Sequence, residues 1–142
     1  MNRFLFVYGT LRQGLPNDYA QFLGNRAHHK GLASVRARMY EISGYPGIIP
    51  SRDHRDQVRG DLYELLSPES VLTYLDAYEG YAESARPETC DYLRREMNVH
   101  LLNGQTLKAW VYLYNREVDD RKRIHGGDYR SYPGNPGGGS AR

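Results

Sequence analysis

The sequence has a single cysteine, Cys90, and no apolar run long enough to cross a bilayer. One cysteine excludes an internal disulfide, and a chain without disulfides is typical of a reducing compartment. A membrane span needs about 20 consecutive apolar residues. No charged segment followed by a long apolar run opens the chain either. We therefore expect a cytoplasmic protein with no membrane partner.

Neither positive nor negative charge predominates in the sequence. The chain has 19 Lys and Arg against 17 Asp and Glu, a formal net charge of +2. This near balance provides no strong field for nucleic acid, so we expect no nucleic-acid partner. The sequence also lacks Gly-x-Ser-x-Gly, a phosphate-binding Gly-x-x-x-x-Gly-Lys and a helical His pair spaced for a metal. These absences argue against the common hydrolase, nucleotide and metal sites.

The length of 142 residues is that of one domain with a hydrophobic core. Its end is rich in Gly and Pro, a composition typical of disorder. We predict a domain at residues 1–132 and a disordered tail at 133–142. The 13 tyrosines suit either a polar pocket or a tyrosine-rich barrel, because each can bury a ring and present a hydroxyl.

The stretch from Phe4 to Gly14 begins with five apolar or aromatic residues and continues through Gly9 into a turn. Such a run predicts a short strand buried on both faces. Backbone N–H groups past the end of the strand can hold a carboxylate or a carbonyl oxygen. An ordinary strand end with a tight turn is the alternative interpretation.

Hydrophobic patterning predicts one clear helix, one shorter helix and five or six strands. Asn103-Gly104 between two alternating runs predicts a hairpin, and Gly60 inside a strand predicts a bend or a close backbone approach. Few strand–helix–strand units favour an α+β fold whose sheet closes into a small barrel. The predicted elements are helices at 17–23 and 68–79, strands at 31–41, 58–65, 93–101 and 105–114, a very short strand within 45–50 and a polar loop at 51–57.

The clearest helix has Ser67 as its N-cap, Pro68 at its first position and Gly80 after its last residue, Glu79. A carboxylate at this end faces the negative end of the helix dipole, and burial beside tyrosines would disfavour its charged form further. A carboxylate near neutrality suits a general base. A solvated acid at a frayed helix end is the alternative.

Other polar clusters predict no site. His28 and His29 are adjacent, and side chains of adjacent extended residues point to opposite faces, so a solvated loop pair is the better interpretation. Asp53, His54 and Asp56 lie in the polar loop without a facing ligand cluster. We therefore predict no metal site.

Three segments carry a resemblance to a known family. They are Tyr8-Gly9-Thr10-Leu11-Arg12, Leu75-Asp76-Ala77-Tyr78-Glu79-Gly80-Tyr81 and Ala109-Trp110-Val111-Tyr112-Leu113-Tyr114-Asn115. In this order and spacing they resemble the gamma-glutamylcyclotransferase-like (AIG2-like) family over residues 3–132. The resemblance implies a small mixed, mostly antiparallel β-barrel flanked by helices.

The same resemblance implies an activity without a metal or cofactor: cyclisation of a small γ-glutamyl substrate to 5-oxoproline with release of an amine or amino acid. By the resemblance, Glu79 is the acid/base residue, and the substrate-binding loop comprises Tyr8, Gly9, Thr10 and Leu11. We add Tyr114 as a substrate-binding candidate, although its hydroxyl could equally belong to the barrel. The Glu79 carboxylate should then face the backbone of residues 9–11 across a cavity.

Some alternatives stay open at the level of sequence. Arg12 could clamp a carboxylate or stabilise the loop from outside, and Arg36 and Arg38 share this ambiguity. The same scaffold could also be a non-catalytic module that binds γ-glutamyl groups or small carboxylates. Neither the leaving group nor the oligomeric state follows from the sequence.

Overall fold

The computed structural model describes residues 1–131, so the tail predicted at 133–142 lies outside the described residues. No helix in the described part is long and apolar enough to cross a membrane. The cellular location, the absence of a nucleic-acid partner and the bounds of the domain stay predictions.

The structure contains two helices and eight strands within residues 1–131. They are β1 (Phe4–Val7), α1 (Asp18–Gly24), β2 (Ala27–Val35), β3 (Ala37–Ile42), β4 (Tyr45–Pro50), β5 (Val58–Leu65), α2 (Pro68–Glu79), β6 (Tyr92–Leu101), β7 (Thr106–Tyr114) and β8 (Arg123–Ile124), with short 3₁₀ turns at Pro87–Thr89, Asp120–Lys122 and Tyr129–Ser131.

Five strands form a closed barrel in the order β1-β5-β2-β6-β7. All neighbours are antiparallel except β1 and β7, which pair in parallel at Leu5 and Trp110 and close the barrel. The hairpin of β6 and β7 turns through Asn103 and Gly104, and Gly104 has a φ of 88°. The predicted α+β fold with a mixed, mostly antiparallel barrel is confirmed.

A second sheet, in the order β4-β3-β8, was not predicted. The alternating run at 31–41 is not one strand, because the chain leaves the barrel at Arg36 and continues as β3 in the second sheet. Its apolar face is nevertheless buried in one cluster across the break. The segment predicted as a very short strand forms all six residues of β4, which pairs along the whole of β3.

Strand β1 separates two hydrophobic cores. Side chains of β1 and of Tyr8, which follows it, alternate between two places. Phe6 and Tyr8 enter the barrel interior, and Leu5 and Val7 enter a cluster beneath the helices. This double burial explains why the run has no polar positions. Strand β7 alternates in the same way, with Val111 inside the barrel. The helix-side cluster contains Leu23 of α1, Val71, Leu72 and Leu75 of α2, and Tyr112 of β7.

The bounds of α2 are those predicted. Gly80 ends it in the left-handed conformation, with a φ of 73°, and its N–H donates to Ala77 O. Ser67 takes the N-cap position, but its side chain makes no capping hydrogen bond. Helix α1 packs on α2 through aromatic rings, with a centroid distance of 3.7 Å between the tilted rings of Tyr19 and Tyr78. The two helices therefore cover the same side of the barrel.

Gly60 confirms the predicted close backbone approach. A Cβ built there would lie 2.1 Å from Val7 O and 2.7 Å from Phe6 Cζ. A carbonyl in a paired strand cannot withdraw without breaking the ladder between β1 and β5, which brings Val7 opposite Asp61. Only a residue without a side chain permits this register.

We expect Gly60→Ala to lower the free energy of unfolding by about 2–3 kcal/mol, because β1 must shift away from β5. Denaturant unfolding measures the change. Gly24→Ala is the matched control: within the described chain nothing lies within 4 Å of its added Cβ. It should cost nothing, since Ala favours helix over Gly. Equal decreases in the free energy of unfolding of the two variants would show that the close approach of β1 to Gly60 does not determine the cost.

Candidate functional site

The loop after β1 runs through the interior rather than over the surface. Pairing between β1 and β5 ends at Val7 and Asp61, and the next five residues, 8–12, are all buried. The Arg12 N–H donates to Gly9 O at 3.2 Å, which closes a tight turn. The backbone of residues 9–11 therefore lies past the end of the strand ladder, where the sequence placed it.

Arg12 anchors this loop to Asp61 of β5 and to Asp128 near the end of the described chain. Its Nε lies 3.1 Å from Asp61 Oδ2 and its Nη1 lies 2.8 Å from Asp128 Oδ1. The Gln13 N–H also donates to Asp61 Oδ2, while His29 Nε2 lies 2.9 Å from Asp61 Oδ1. Arg12 is 3% exposed and engages these two carboxylates, so its geometry is that of a loop anchor.

The electrostatics of Asp61 follow from this cluster. Burial alone would raise its pKa, but hydrogen bonds from His29 and Arg12 outweigh burial and hold the pKa below its ordinary value. The predicted solvated loop for His28 and His29 is wrong, because both belong to β2. Pairing with Asp61 on the neighbouring strand explains the position of His29.

Asn17 connects the loop to α1. Its side-chain oxygen accepts from the Ala20 N–H at 2.8 Å and so caps the helix. Its side-chain nitrogen donates to Thr10 O at 2.8 Å. One residue therefore fixes both the start of α1 and the middle of the loop. The predicted start of the helix near Asn17 is confirmed, whereas its bond to Thr10 could not be predicted from spacing.

Glu79 is the last residue of α2 and is 5% exposed. The alternative interpretation, a solvated acid at a frayed helix end, is therefore wrong. The left-handed turn at Gly80 directs the chain back, and the Tyr81 N–H donates to Asp76 O at 2.8 Å. The helix end is thus closed and packed, and it holds a carboxylic acid in the interior.

Tyr112 of β7 lies beside both the loop and the helix end. The Tyr8 hydroxyl donates to Tyr112 O at 2.6 Å, while the Tyr112 hydroxyl donates to Asp76 Oδ1 at 2.8 Å. Burial and the charge of Asp76 raise the pKa of Tyr112 well above its ordinary value, and the charge of Glu79 adds to this. Leu11 packs in the same cluster as Tyr112. Tyr112 therefore contacts Tyr8 through its backbone and lies beside the helix end through its side chain, and a cavity between Glu79 and the backbone of residues 9–11 stays a prediction.

The remaining candidates from the sequence are Tyr114, Arg36 and Arg38. Tyr114 is half-buried, and its ring centroid lies 5.3 Å from that of Tyr92. Its side chain is also close to Gly47, whose added Cβ would lie 2.9 Å from Tyr114 Cβ. Both interpretations of its hydroxyl stay open. Arg36 is exposed, and Arg38 pairs with Asp56 at 2.8 Å, so neither is placed at the loop.

Within residues 1–131, no group of three or more His, Cys, Asp or Glu side chains is arranged to hold a metal ion. The acids of the polar loop at 51–57 are used in other ways. Asp56 accepts from Ser51 and Arg38 and also pairs with Arg123. Cys90 is buried.

A family model described as gamma-glutamyl cyclotransferase, AIG2-like, matches residues 5–131. This chain belongs to that family. The gamma-glutamylaminecyclotransferase of Bos taurus is 37% identical over 139 residues, covering 86% of this chain and 78% of the bovine protein. The gamma-glutamylcyclotransferase family protein YtfP of Escherichia coli K12 is 30% identical, covering 88% of this chain and 94% of YtfP.

The fold agrees with a solved structure as well. The crystal structure of an AIG2-like protein from Mus musculus aligns with a TM-score of 0.67 at 21% identity, covering 92% of this chain and 90% of the mouse chain. At this identity the likeness establishes the fold. The gamma-glutamyl cyclotransferase family therefore accounts for both the sequence and the barrel.

Sequence reasoning missed the three residues of a polar cluster at the end of α2 in this family member: Asp76, Arg94 and Tyr112. Along the strand predicted at 93–101, alternation places Leu93 and Arg95 on the face shared with Met97, Val99 and Leu101. The buried arginine is nevertheless Arg94, at 3% exposure, and Arg95 is exposed. Asp76 offered one usable signal, since it lies three residues before Glu79 and hence on the same face of α2. Tyr112 carried no signal beyond its place on the second face of β7.

We expect the stability of the fold to depend on the pair of Arg12 and Asp61. Because the pKa of Asp61 is lowered on folding, the pair stabilises the protein above about pH 4 and this contribution is lost as the pH falls further. Arg12→Gln should cost about 3–5 kcal/mol at neutral pH, since it leaves a buried carboxylate without its cation. Unfolding as a function of pH measures both effects.

The control for that experiment is Arg121→Gln, which removes an exposed arginine from Asp119. It should leave the unfolding curve unchanged at every pH. A variant Asp61→Asn should flatten the acid limb of the stability profile. An acid limb as steep as that of the wild type would show that other carboxylates dominate.

We expect Asn17→Asp to loosen the loop while keeping α1 intact. Aspartate retains the capping oxygen but has no N–H for Thr10 O, so amides of residues 10–14 should exchange faster with little loss of stability. Asn17→Ala loses the cap too and should cost about 1 kcal/mol. Hydrogen exchange followed by mass spectrometry distinguishes the two variants. Unchanged loop exchange in Asn17→Asp would contradict the tether.

Proposed function

We propose that this chain is an enzyme that cyclises the γ-glutamyl group of a small γ-glutamyl amide to 5-oxoproline, with Glu79 as the general acid/base. Membership of the cyclotransferase family supports the reaction class. The observation that carries the residue assignment is the burial of the Glu79 carboxylate beside Tyr112, whose carbonyl accepts from Tyr8 at the start of the loop.

The chemistry requires movement of two protons. The α-amine of a γ-glutamyl group is an ammonium at neutral pH, so Glu79 first takes a proton and frees the nitrogen lone pair. The nitrogen attacks the γ-carbonyl carbon and forms the ring C–N bond. As the original amide C–N bond breaks, the leaving nitrogen takes a proton from Glu79. The second proton of the former ammonium follows the same route, so the amine departs as an ammonium ion and the carboxylate is restored.

The loop supplies positioning and charge stabilisation in this proposal. Backbone N–H groups of residues 9–11 hold the α-carboxylate or the developing oxyanion, and Tyr8 and Thr10 shape the pocket. Such donors are effective when they are fixed before the reaction. The anchoring of the loop by Arg12 and Asn17 is consistent with that requirement. Nucleophile and electrophile belong to one substrate, so orientation alone removes much of the barrier.

The leaving group is the open part of the proposal. The bovine relative is named for γ-glutamylamines, and we propose this class as the first to test here. The competing function is a module that binds γ-glutamyl groups or small carboxylates without turnover. A buried acid disfavours a module for simple carboxylates, because a carboxylate in the pocket repels a ligand that carries no cation. A γ-glutamyl group also carries an α-ammonium, so for this ligand the assay of turnover decides.

The test is release of 5-oxoproline from a panel of γ-glutamyl amines, dipeptides and amino acids, quantified by chromatography and mass spectrometry. We expect 5-oxoproline and free amine in equal amounts. Glu79→Gln should lower kcat by about 10²–10⁴-fold, because the amide cannot carry the proton. The same variant should still bind the substrate in calorimetry, since the change keeps the shape of the side chain.

Glu69→Gln is the matched control, because Glu69 is an exposed acid in the first turn of the same helix. It should retain full activity. Full turnover in Glu79→Gln would refute the assigned role while leaving the reaction intact. Binding by the wild type without any 5-oxoproline would establish the binding module instead.

A further inference from the structure

A buried arginine of a barrel strand contacts the last turn of α2, the helix that ends at the proposed acid/base residue. Arg94 of β6 is 3% exposed, and its guanidinium carbon lies 4.4 Å above the Trp110 ring. Its Nε lies 2.8 Å from Asp76 Oδ1 and its Nη2 lies 3.0 Å from Asp76 Oδ2. This two-point contact is the geometry in which arginine binds a carboxylate most strongly.

The partner carboxylate belongs to the last turn of α2. Asp76, at 7% exposure, precedes Glu79 by three residues, so the two acids share one face of the helix. Both also face the negative end of the helix dipole. Asp76 therefore carries a charge that would disfavour ionisation of Glu79 if Arg94 did not balance it.

Tyr112, Glu83 and Tyr81 also lie around the pair of Arg94 and Asp76. Tyr112 from β7 donates to Asp76 Oδ1 at 2.8 Å and carries a raised pKa through burial, so it remains a neutral donor. From the segment after α2, Glu83 lies 3.0 Å from Arg94 Nη2, but its side chain is 68% exposed and hence screened. Tyr81 lies on the same segment, with its ring centroid 5.7 Å from the Arg94 guanidinium. Arg94 is the one buried cation among them.

We propose that Arg94, by neutralising Asp76, sets the pH range in which Glu79 accepts a proton and holds the last turn of α2 in position. Arg94 and Asp76 are thus positioning residues that act through Glu79. This inference rests on the proposed function. It extends that function because it predicts how the activity depends on pH and which pair of residues controls it.

The sign of the effect differs between the two partners, which makes the test sharp. In Arg94→Gln, Asp76 keeps its charge without a cation, so the acid limb of the kcat/KM profile should move up by about one pH unit or more. In Asp76→Asn, the remaining cation favours ionised Glu79, so the acid limb should move down. The double variant Asp76→Asn with Arg94→Gln should return the limb to its wild-type position.

Arg94→Lys separates charge from geometry. It keeps the cation but loses the two-point contact, so the acid limb should stay in place while kcat falls. It also keeps the test decisive where Arg94→Gln does not fold. Arg121→Gln, the exposed control, should change neither kcat nor the profile. A purely structural role would lower activity evenly across pH in every variant, and such an outcome overturns the proposal.

A second readout does not depend on turnover. The carboxyl resonance of Glu79 in protein labelled with ¹³C-glutamate, assigned by its loss in Glu79→Gln, reports the ionisation directly. We expect its midpoint to rise in Arg94→Gln and fall in Asp76→Asn. These shifts in a protein that releases no 5-oxoproline would sustain the coupling and refute only the proposed function. If the titration midpoint of Glu79 does not move in variants of an active enzyme, the coupling to Arg94 and Asp76 is refuted and the proposed function is not.

Discussion

The burial of β1 on both faces is the constraint on which the rest of the site depends. The strand lies between β5 and β7 inside the closed barrel, and its side chains enter two different cores. Because both edges and both faces are occupied, the loop that follows it emerges into the protein rather than into solvent. Its backbone groups must then find protein partners or a ligand. An interior loop of this kind is a natural place to hold the oxygens of a substrate.

Two buried ion pairs support the two halves of the site. Arg12 and Asp61 hold the loop, whereas Arg94 binds Asp76 in the last turn of α2, which ends at Glu79. Buried pairs of this kind contribute little net stability compared with apolar side chains of similar volume. Their value here is geometric, since Arg94 contacts both oxygens of Asp76 and Arg12 bridges Asp61 and Asp128, and such contacts fix orientation. The barrel strands β5 and β6 supply one partner to each pair, so the sheet determines where both halves lie.

The sequence was informative where local patterns and burial agree. The strand at 58–65 and the helix at 68–79 have the predicted bounds, because turn residues and an apolar period define them without help from the rest of the chain. For the run at 31–41, the buried apolar face was predicted correctly, but the run forms two strands instead of one. A period of two says which side chains are buried, not which sheet their backbone joins. For the same reason the second sheet could not be predicted.

Taken alone, the sequence determined the class of fold, the order of most elements and the identity of the loop and helix end as the candidate halves of a site. It could not determine that Arg94 rather than Arg95 is buried, that His29 meets Asp61, or that Tyr112 lies between Tyr8 and Glu79. Each of these depends on the register of strands distant in the chain. A one-residue change of register exchanges the two faces of a strand, and only closure of the barrel selects the register that forms.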